Sequence, residues 1–307
     1  MDARVKPAHD GVEMLWAVFT LIAAAAQTAR NAMQRELTAT LGTVGATHVR
    51  FLFGFPFALL ILFGVQTVTG AAIPASPGVF WPWVCGGAAA QIAATALMLA
   101  AMGERSFVVA YAYIKTEPVQ VALFGLIVLG DHVTPLSAAA ILIATAGVIV
   151  IPLKPGAAGA STLRSTLIGL AAGTCFALSA TSYRGGILAL GSSDFVMAAT
   201  YTACVGIVLQ AVFLTLYLMW RDPGVLRAIM RAWKPSMFAG FMGAFASEFW
   251  FLAFAITTAA NVRTLALVEV LFAQGVTHLI FKQPTTRREL TGVVLVVLGV
   301  LLLVWAY

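Results

Sequence analysis

PLKPGAAGAST, residues 152–162, decides how the chain is organised: a Pro, Gly and Ala stretch between two long apolar halves reads as a linker. On either side of it, apolar runs recur at the length of a membrane span. Of the 307 residues 61% are hydrophobic and only 10% charged, and mean hydropathy is +0.96, which excludes water as the main solvent. A hydrocarbon core roughly 30 Å thick takes about 20 apolar residues per helix. Spans are accordingly expected at 12–34, 43–66, 78–102, 106–130 and 133–152, then at 164–188, 194–219, 235–256, 260–282 and 289–306. Five spans in each half is an odd number, so the second half must enter the membrane from the opposite side. The expectation is an all-α membrane protein of ten transmembrane helices arranged as two inverted five-helix repeats, 1–152 and 163–307, joined by 153–162.

A constant offset of 152 residues supports that division. It carries Glu117 onto Glu269, Thr134 onto Thr286 and Gly147 onto Gly299, and sets Gln27, Arg30 and Asn31 against Ser179, Ser182 and Tyr183. A polar stripe thus recurs in the first and sixth spans.

The net charge of +6 is scattered through short connections, with no basic run or tail, so lipid headgroups rather than nucleic acid are the expected counter-charge. Cys85, Cys175 and Cys204 each fall inside a span without CxxC spacing, which argues against a disulfide framework or a zinc site. The N-terminal MDARVKPAHDG lacks the features of a cleaved secretory signal and is expected to be retained. In RDPGVLRAIMRAWKPS, residues 221–236, Leu226, Ile229, Met230 and Trp233 stand opposite Arg227, Arg231 and Lys234, the pattern of an interfacial amphipathic helix or of a surface loop. Trp16, Trp81, Trp83, Trp220, Trp233 and Trp305 near span ends read as interface anchors; Trp250, deep in the eighth span, reads as a core or lipid-facing residue, with stacking on a ligand the alternative.

Ionisable groups at mid-membrane cost at least about 2.5–3.5 kcal/mol each, so they persist where they face a cavity or a partner. Glu117, Glu269 and Glu248 sit at that depth. Glu117 and Glu269, related by the repeat, are expected to share one central site, where two carboxylates disfavour simultaneous ionisation and can exchange a proton for a cationic or zwitterionic substrate. A structural ion pair is the competing reading. Glu248 has no acidic counterpart in the other half, and Lys115 or Arg263 is its expected partner. Lys115 lies two residues from Glu117, on another face of the helix, so its partner must come from elsewhere, with Glu269 and Glu248 the candidates. Tyr113, Thr116 and Gln120 extend the polar face around Glu117. Gln27 and Asn31 are expected to line the cavity, Gln91 and Thr95 to hold helices together, and Arg30 and Gln34 to snorkel at the membrane edge. Pro118 in mid-span is a candidate hinge that frees carbonyls beside Glu117.

Taken with these features, Arg50-Phe51 in the second span, Pro118 in the fourth, the LGD turn at 129–131 followed by TAGVIVI, and LVVLGVLLLV at 295–304 resemble the drug/metabolite transporter superfamily. The resemblance covers nearly the whole chain and is closest to EamA-type members, including the YddG-like amino-acid exporters. Gln283 departs from the acidic residue usual in the family after the ninth span. The resemblance implies export of amino acids or related metabolites across an inner membrane. Lys115, Thr116 and Glu117, where aromatic residues flank the proline in those exporters, point to a more polar or charged cargo.

No GxxxxGK[ST], HExxH, GxSxG or zinc spacing occurs, so neither a cofactor nor nucleotide-driven transport nor an enzyme activity is expected. The leading expectation is a proton-coupled secondary carrier of small amine-bearing metabolites, working in the bilayer as a monomer or homodimer. An uncoupled facilitator or channel and a non-transporting partner subunit are the alternatives. Orientation divides the signals. A cytoplasmic N-terminus, implied by the resemblance, leaves only Arg4, Lys6, Arg184 and Arg263 on that side. The opposite loops would hold Arg35, Arg105, Lys154, Arg164, Arg221, Arg227, Arg231, Lys234, Lys282, Arg287 and Arg288, so the charge count favours both termini outside.

Overall fold

A computed structural model describes residues 14–102, 112–150, 160–272 and 287–307, and every regular element among them is helical. Seven stretches of these residues are long and apolar enough to cross a membrane: Leu15–Thr69, Phe80–Ala101, Ala112–Leu129, Leu163–Ala189, Phe195–Arg221, Trp233–Ile256 and Arg287–Trp305; Pro135–Val150 is a shorter apolar helix. Their outer faces present Leu60, Phe63, Ile127 and Leu301, all more than half exposed, as expected where hydrocarbon is the solvent. The chain is therefore an all-helical, multi-pass membrane protein. Most of the expected linker, residues 153–159, lies outside the described residues, as do Arg4, Lys6, Arg105, Lys154, Lys282, Gln283 and Thr286. Residues 160–162 already belong to the next helix.

The first element, α1 (Leu15–Leu52), is not one rod. Gly42 adopts φ 68 and ψ 174, a backbone state open essentially to glycine alone, and interrupts it. Twelve residues of straight helix would rise about 18 Å. Gln34 nevertheless donates to the Ala46 carbonyl at 2.8 Å, so the chain folds back at Gly42 into two arms, residues 15–41 and 43–52. The second arm continues through a turn into α2 (Phe55–Thr69), which ends on the left-handed Gly70. The first arm is thus longer than the expected 12–34. That puts Arg30 and Gln34 well inside a helix, 2% and 0% exposed, and corrects the expectation that they snorkel.

After α3 (Phe80–Met102), the helical turn over residues 112–114 gives way to a break at Lys115–Thr116, and α4 (Glu117–Phe124) begins anew with Thr116 as its N-cap residue. Pro118 occupies the first turn of this new helix, where a missing N–H costs nothing, rather than bending a continuous one as expected. A π-helical turn, Gly125–Leu129, and the left-handed Gly130 end the segment. Then come α5 (Pro135–Val150), α6 (Ala160–Ala189), α7 (Phe195–Arg221), the short α8 (Pro223–Arg231), α9 (Trp233–Ile256), α10 (Ala259–Leu265) with a 3-10 turn at Ala266–Val268, and α11 (Arg287–Trp305). An extended Thr257 stops α9, and the Thr258 hydroxyl caps α10 through the Asn261 N–H. The 3-10 turn at Ala266–Val268 interrupts the ninth hydrophobic segment, as the break at Lys115–Thr116 interrupts the fourth.

Packing relies on small residues that let backbones meet. The longest seams run between α1 and α9, α3 and α6, and α5 and α11. In the last, a Cβ added at Gly147 would lie 2.7 Å from the Gly292 oxygen and the Val296 nitrogen. One added at Gly299 would lie 2.5 Å from the Ala144 nitrogen and 2.8 Å from the Ala140 oxygen. On the α1/α9 seam, Gly240 abuts the Phe53 backbone and Gly243 abuts Arg50. The α8 segment is helical, as one of its two readings required. It buries Ile229 against Leu37, Leu41 and Val49 and leaves Arg227, Arg231 and Lys234 exposed. Trp220, Trp233 and Trp305 are exposed as anchors should be, whereas Trp16 is fully buried against Tyr307 and Trp83 packs on Gly185.

Candidate functional site

The two broken segments cross at the centre of the bundle, and their charged groups pair across the crossing. The Arg263 guanidinium, on α10, grips Glu117 with two bonds: Nε donates to Oε1 and Nη2 to Oε2 at 2.8 Å. Lys115 pairs with Glu269. Each half of the chain thus supplies a carboxylate to the other half's cation. Lys115, Glu117 and Glu269 lie at or beside the interruptions of the two segments, and Arg263 lies on the short α10 just before one of them.

The geometry corrects the chemical picture drawn for the glutamates. They approach the same region, but each meets a cation rather than the other carboxylate, so like-charge repulsion is not what governs them. Glu248 pairs with neither Lys115 nor Arg263. It accepts from the Thr200 hydroxyl on α7.

Gln27 ties the pairs to the adjoining cavity. Its amide donates to Glu269 Oε2 at 3.3 Å and accepts from Trp250 Nε1 at 3.3 Å. The Arg263 guanidinium carbon sits 4.9 Å from the centre of the Trp250 ring and 5.9 Å from that of Phe176, so the Glu117 bridge is roofed by aromatic faces. Trp250 is a cavity wall, 5% exposed, and stacks on Phe254. The cavity is narrow and lies among α1, α3, α6, α7, α9 and α10; its polar walls include Gln27, Arg50, Gln91, Ser179, Gln210 and Arg263. Tyr183 closes one side. Its ring leans on Phe251, and Gly87 and Gly206 make room for it: an added Cβ at either would lie about 3 Å from the ring.

Other expected residues take different places. Asn31 is half-buried and accepts from Arg30 Nε and Nη2, at 3.3 and 2.8 Å. Tyr113 lends its carbonyl to Thr116, and its side chain is not among the cavity walls. Gln120 donates to Thr116 and accepts from Thr174 on α6, which is adhesion between helices. Gln91, expected as adhesion, does both: it accepts from Ser179 at 2.7 Å and lines the cavity. Thr95 accepts from Arg50 at 3.3 Å.

Arg263, weighed as a partner of Glu248 and counted among the loop charges, sits on α10 and holds Glu117 instead. Two others escaped the sequence reading as site residues. Arg50 was read only as part of a dipeptide motif, and Gln210 not at all. At one end of the cavity region, Arg184 donates to the carbonyls of Phe254, at 2.6 Å, and Thr257, and pairs with Asp131 of the LGD turn at 3.4 Å, linking the two halves a second time. No group of three or more potential metal ligands occurs among the described residues.

A crystal structure 13% identical in sequence superposes with a TM-score of 0.70, covering 98% of this chain and 100% of its own, which shows a shared fold. No curated protein matches the chain. Residues 163–305, nearly all of the second half, match the EamA-like transporter family.

Proposed function

We propose that this transporter is a proton-coupled secondary carrier working by alternating access, built as two inverted five-helix repeats over 1–152 and 163–307. It exports small amine-bearing metabolites, such as amino acids, across the inner membrane. The repeat reading is supported by seams that map onto one another. With the offset of 152, the contact of Gly147 with Gly292 and Val296 becomes that of Gly299 with Ala140 and Ala144, as a twofold axis in the membrane plane requires. Under the same exchange the α1/α9 seam becomes the α3/α6 seam. The breaks in the fourth and ninth segments, at Lys115–Thr116 and Ala266–Val268, correspond as well.

The observation that carries the functional reading is the crossed pair at those breaks, Glu117 with Arg263 and Glu269 with Lys115. Discontinuous helices meeting at a repeat interface are where secondary carriers bind substrates and coupling ions. Protonation of a glutamate releases its cation and unlatches one half from the other. A substrate amine competes with Lys115 or Arg263 for the same carboxylates, so proton and amine exclude each other, which is the condition for exchange. In proteoliposomes, Glu117→Gln and Glu269→Gln are each expected to lose amino-acid flux driven by a pH gradient. Full proton-driven flux in both variants overturns the coupling.

A further inference from the structure

We infer that Arg50 and Gln210, backed by Arg30 beside Arg50, form an oxyanion subsite in the central cavity that takes the carboxylate end of the cargo. The inference rests on the transport reading only in treating the cavity as the cargo site. It starts from an imbalance of charge. The glutamates of the crossing are committed to Arg263 and Lys115, and Glu248 is bonded to Thr200. Arg30 and Arg50 are 2% and 5% exposed. Among the described residues their hydrogen-bond partners are neutral: the Asn31 amide oxygen for Arg30 and the Thr95 hydroxyl for Arg50. The two arginines come together at Gly243, where a Cβ would lie 3.4 Å from Arg50 Cβ and 3.6 Å from Arg30 Cδ; glycine leaves room for both stems.

Neutral acceptors satisfy N–H groups without cancelling charge. A guanidinium taken out of water without a counter-ion carries a penalty of several kcal/mol, and two side by side repel. Most of Arg50's five donors stay uncommitted, in a fork suited to a carboxylate. Gln210 adds an independent sign. It lines the same cavity, it is 2% exposed, and its Nε2 donor has no partner. The surplus in this part of the cavity is thus of donors and of positive charge, and the complement is an anionic acceptor. The walls Phe176, Trp250, Phe251 and Phe254 are aromatic and receive the apolar body of such a molecule. Gln27 and Arg263, which also line the cavity, connect it to Glu269 and Glu117, so both signs of charge border the site.

Calorimetric titration of the full-length purified chain in detergent tests this with three probes: 3-phenylpropionate, its uncharged isostere 3-phenylpropanamide, and inorganic phosphate. The acid is expected to bind at least tenfold more tightly than the amide, a factor equal to about 1.4 kcal/mol. Arg50→Gln and Arg30→Gln are each expected to erase that preference while leaving amide binding as it was. Arg50→Lys keeps the charge and part of the preference, and provides the readout where a glutamine variant fails to fold. Equal binding of acid and amide, no acid binding, or a preference that survives both glutamine variants overturns the subsite. Phosphate competing as well as the acid overturns its assignment to a carboxylate. Flux is measured separately: Arg50-dependent acid binding without transport defeats the carrier reading and leaves the subsite standing, whereas transport indifferent to the carboxylate does the reverse.

Discussion

Neutralising Glu117 is expected to destabilise the protein severely, and neutralising Arg263 with it to restore most of the loss. With Arg263 Nη2 2.8 Å from Glu117 Oε2, two unit charges attract by about 6 kcal/mol at an effective dielectric of about 20. Desolvation offsets much of that attraction within the intact pair, but not once one partner is gone. Glu117→Gln leaves a buried guanidinium with Arg30, Arg50 and Lys115 as its charged surroundings, and removal of one member of a buried pair costs about 3–5 kcal/mol. In Glu117→Gln/Arg263→Gln the two remaining side chains are uncharged and polar, so the uncompensated charge disappears. The assay is a double-mutant cycle by reversible unfolding in mixed micelles, with an expected coupling energy of about 2–4 kcal/mol. Stability losses that simply add, to within about 0.5 kcal/mol, would falsify the reasoning, because they would mean that the two groups do not depend on each other. The parallel cycle on Lys115 and Glu269 should behave alike.

Other consequences are open to direct measurement. Gly147→Val and Gly299→Val drive a side chain into the facing backbone at 2.5–2.7 Å; each is expected to cost at least about 1–3 kcal/mol, and to a similar degree, since the contacts are reciprocal. A loss at one site without the other, read from thermal unfolding in detergent, counts against the equivalence of the halves. Asp131→Asn removes the charge that Arg184 pairs with while both arginine contacts to α9 carbonyls remain. Stability should fall by less than about 1 kcal/mol for a single partly exposed pair, while labelling of a cysteine at Ser192 by a membrane-impermeant thiol reagent should rise if this pair holds one end of the cavity shut. Cysteine at Lys234, an exposed position beside Trp233, is expected to react from the cytoplasmic side only, as the loop-charge count requires. Labelling from outside reverses the orientation.

Much of this architecture was legible because the bilayer imposes two simple demands, apolar length and internal partners for ionisable groups. The second demand singled out Lys115, Glu117 and Glu269 before any geometry was available, and all three meet at one crossing. Breaks in helices were not legible. Hydropathy averages over a window and cannot tell a continuous ninth span from one interrupted by the 3-10 turn at Ala266–Val268. Nor can it say which neighbour Arg263 on α10 faces: Glu117 rather than Glu248. An error of length affected Arg30 and Gln34, assigned to a membrane edge that the longer first arm carries past them. Trp16 shows a further limit: proximity to a span end predicts an interface position only if the side chain faces outward, and here it faces Tyr307. Periodicity says which residues share a face, but not which face another helix covers.

The charges of the centre argue together for a carrier whose empty form is electrically unfinished. Among the described residues, Arg30, Arg50, Lys115 and Arg263 gather around Glu117 and Glu269, and only two of the four cations are matched by those carboxylates. A bare amine entering such a cavity would add to the excess, and it would have to displace a cation already bridged. A carboxylate alone would relieve the excess without touching the bridges, and so would bind without unlatching anything. A zwitterion does both: its carboxylate relieves Arg30 and Arg50, which offsets the work of turning Lys115 or Arg263 away from its glutamate. Binding energy gained at the arginines is then available to open the latch at the glutamates, and the cargo able to trigger the conformational change is one that carries both charges at once. Measured with phenylalanine, phenethylamine and 3-phenylpropionate in proteoliposomes, that logic requires the zwitterion to be transported, the acid to bind and inhibit, and the amine to do neither.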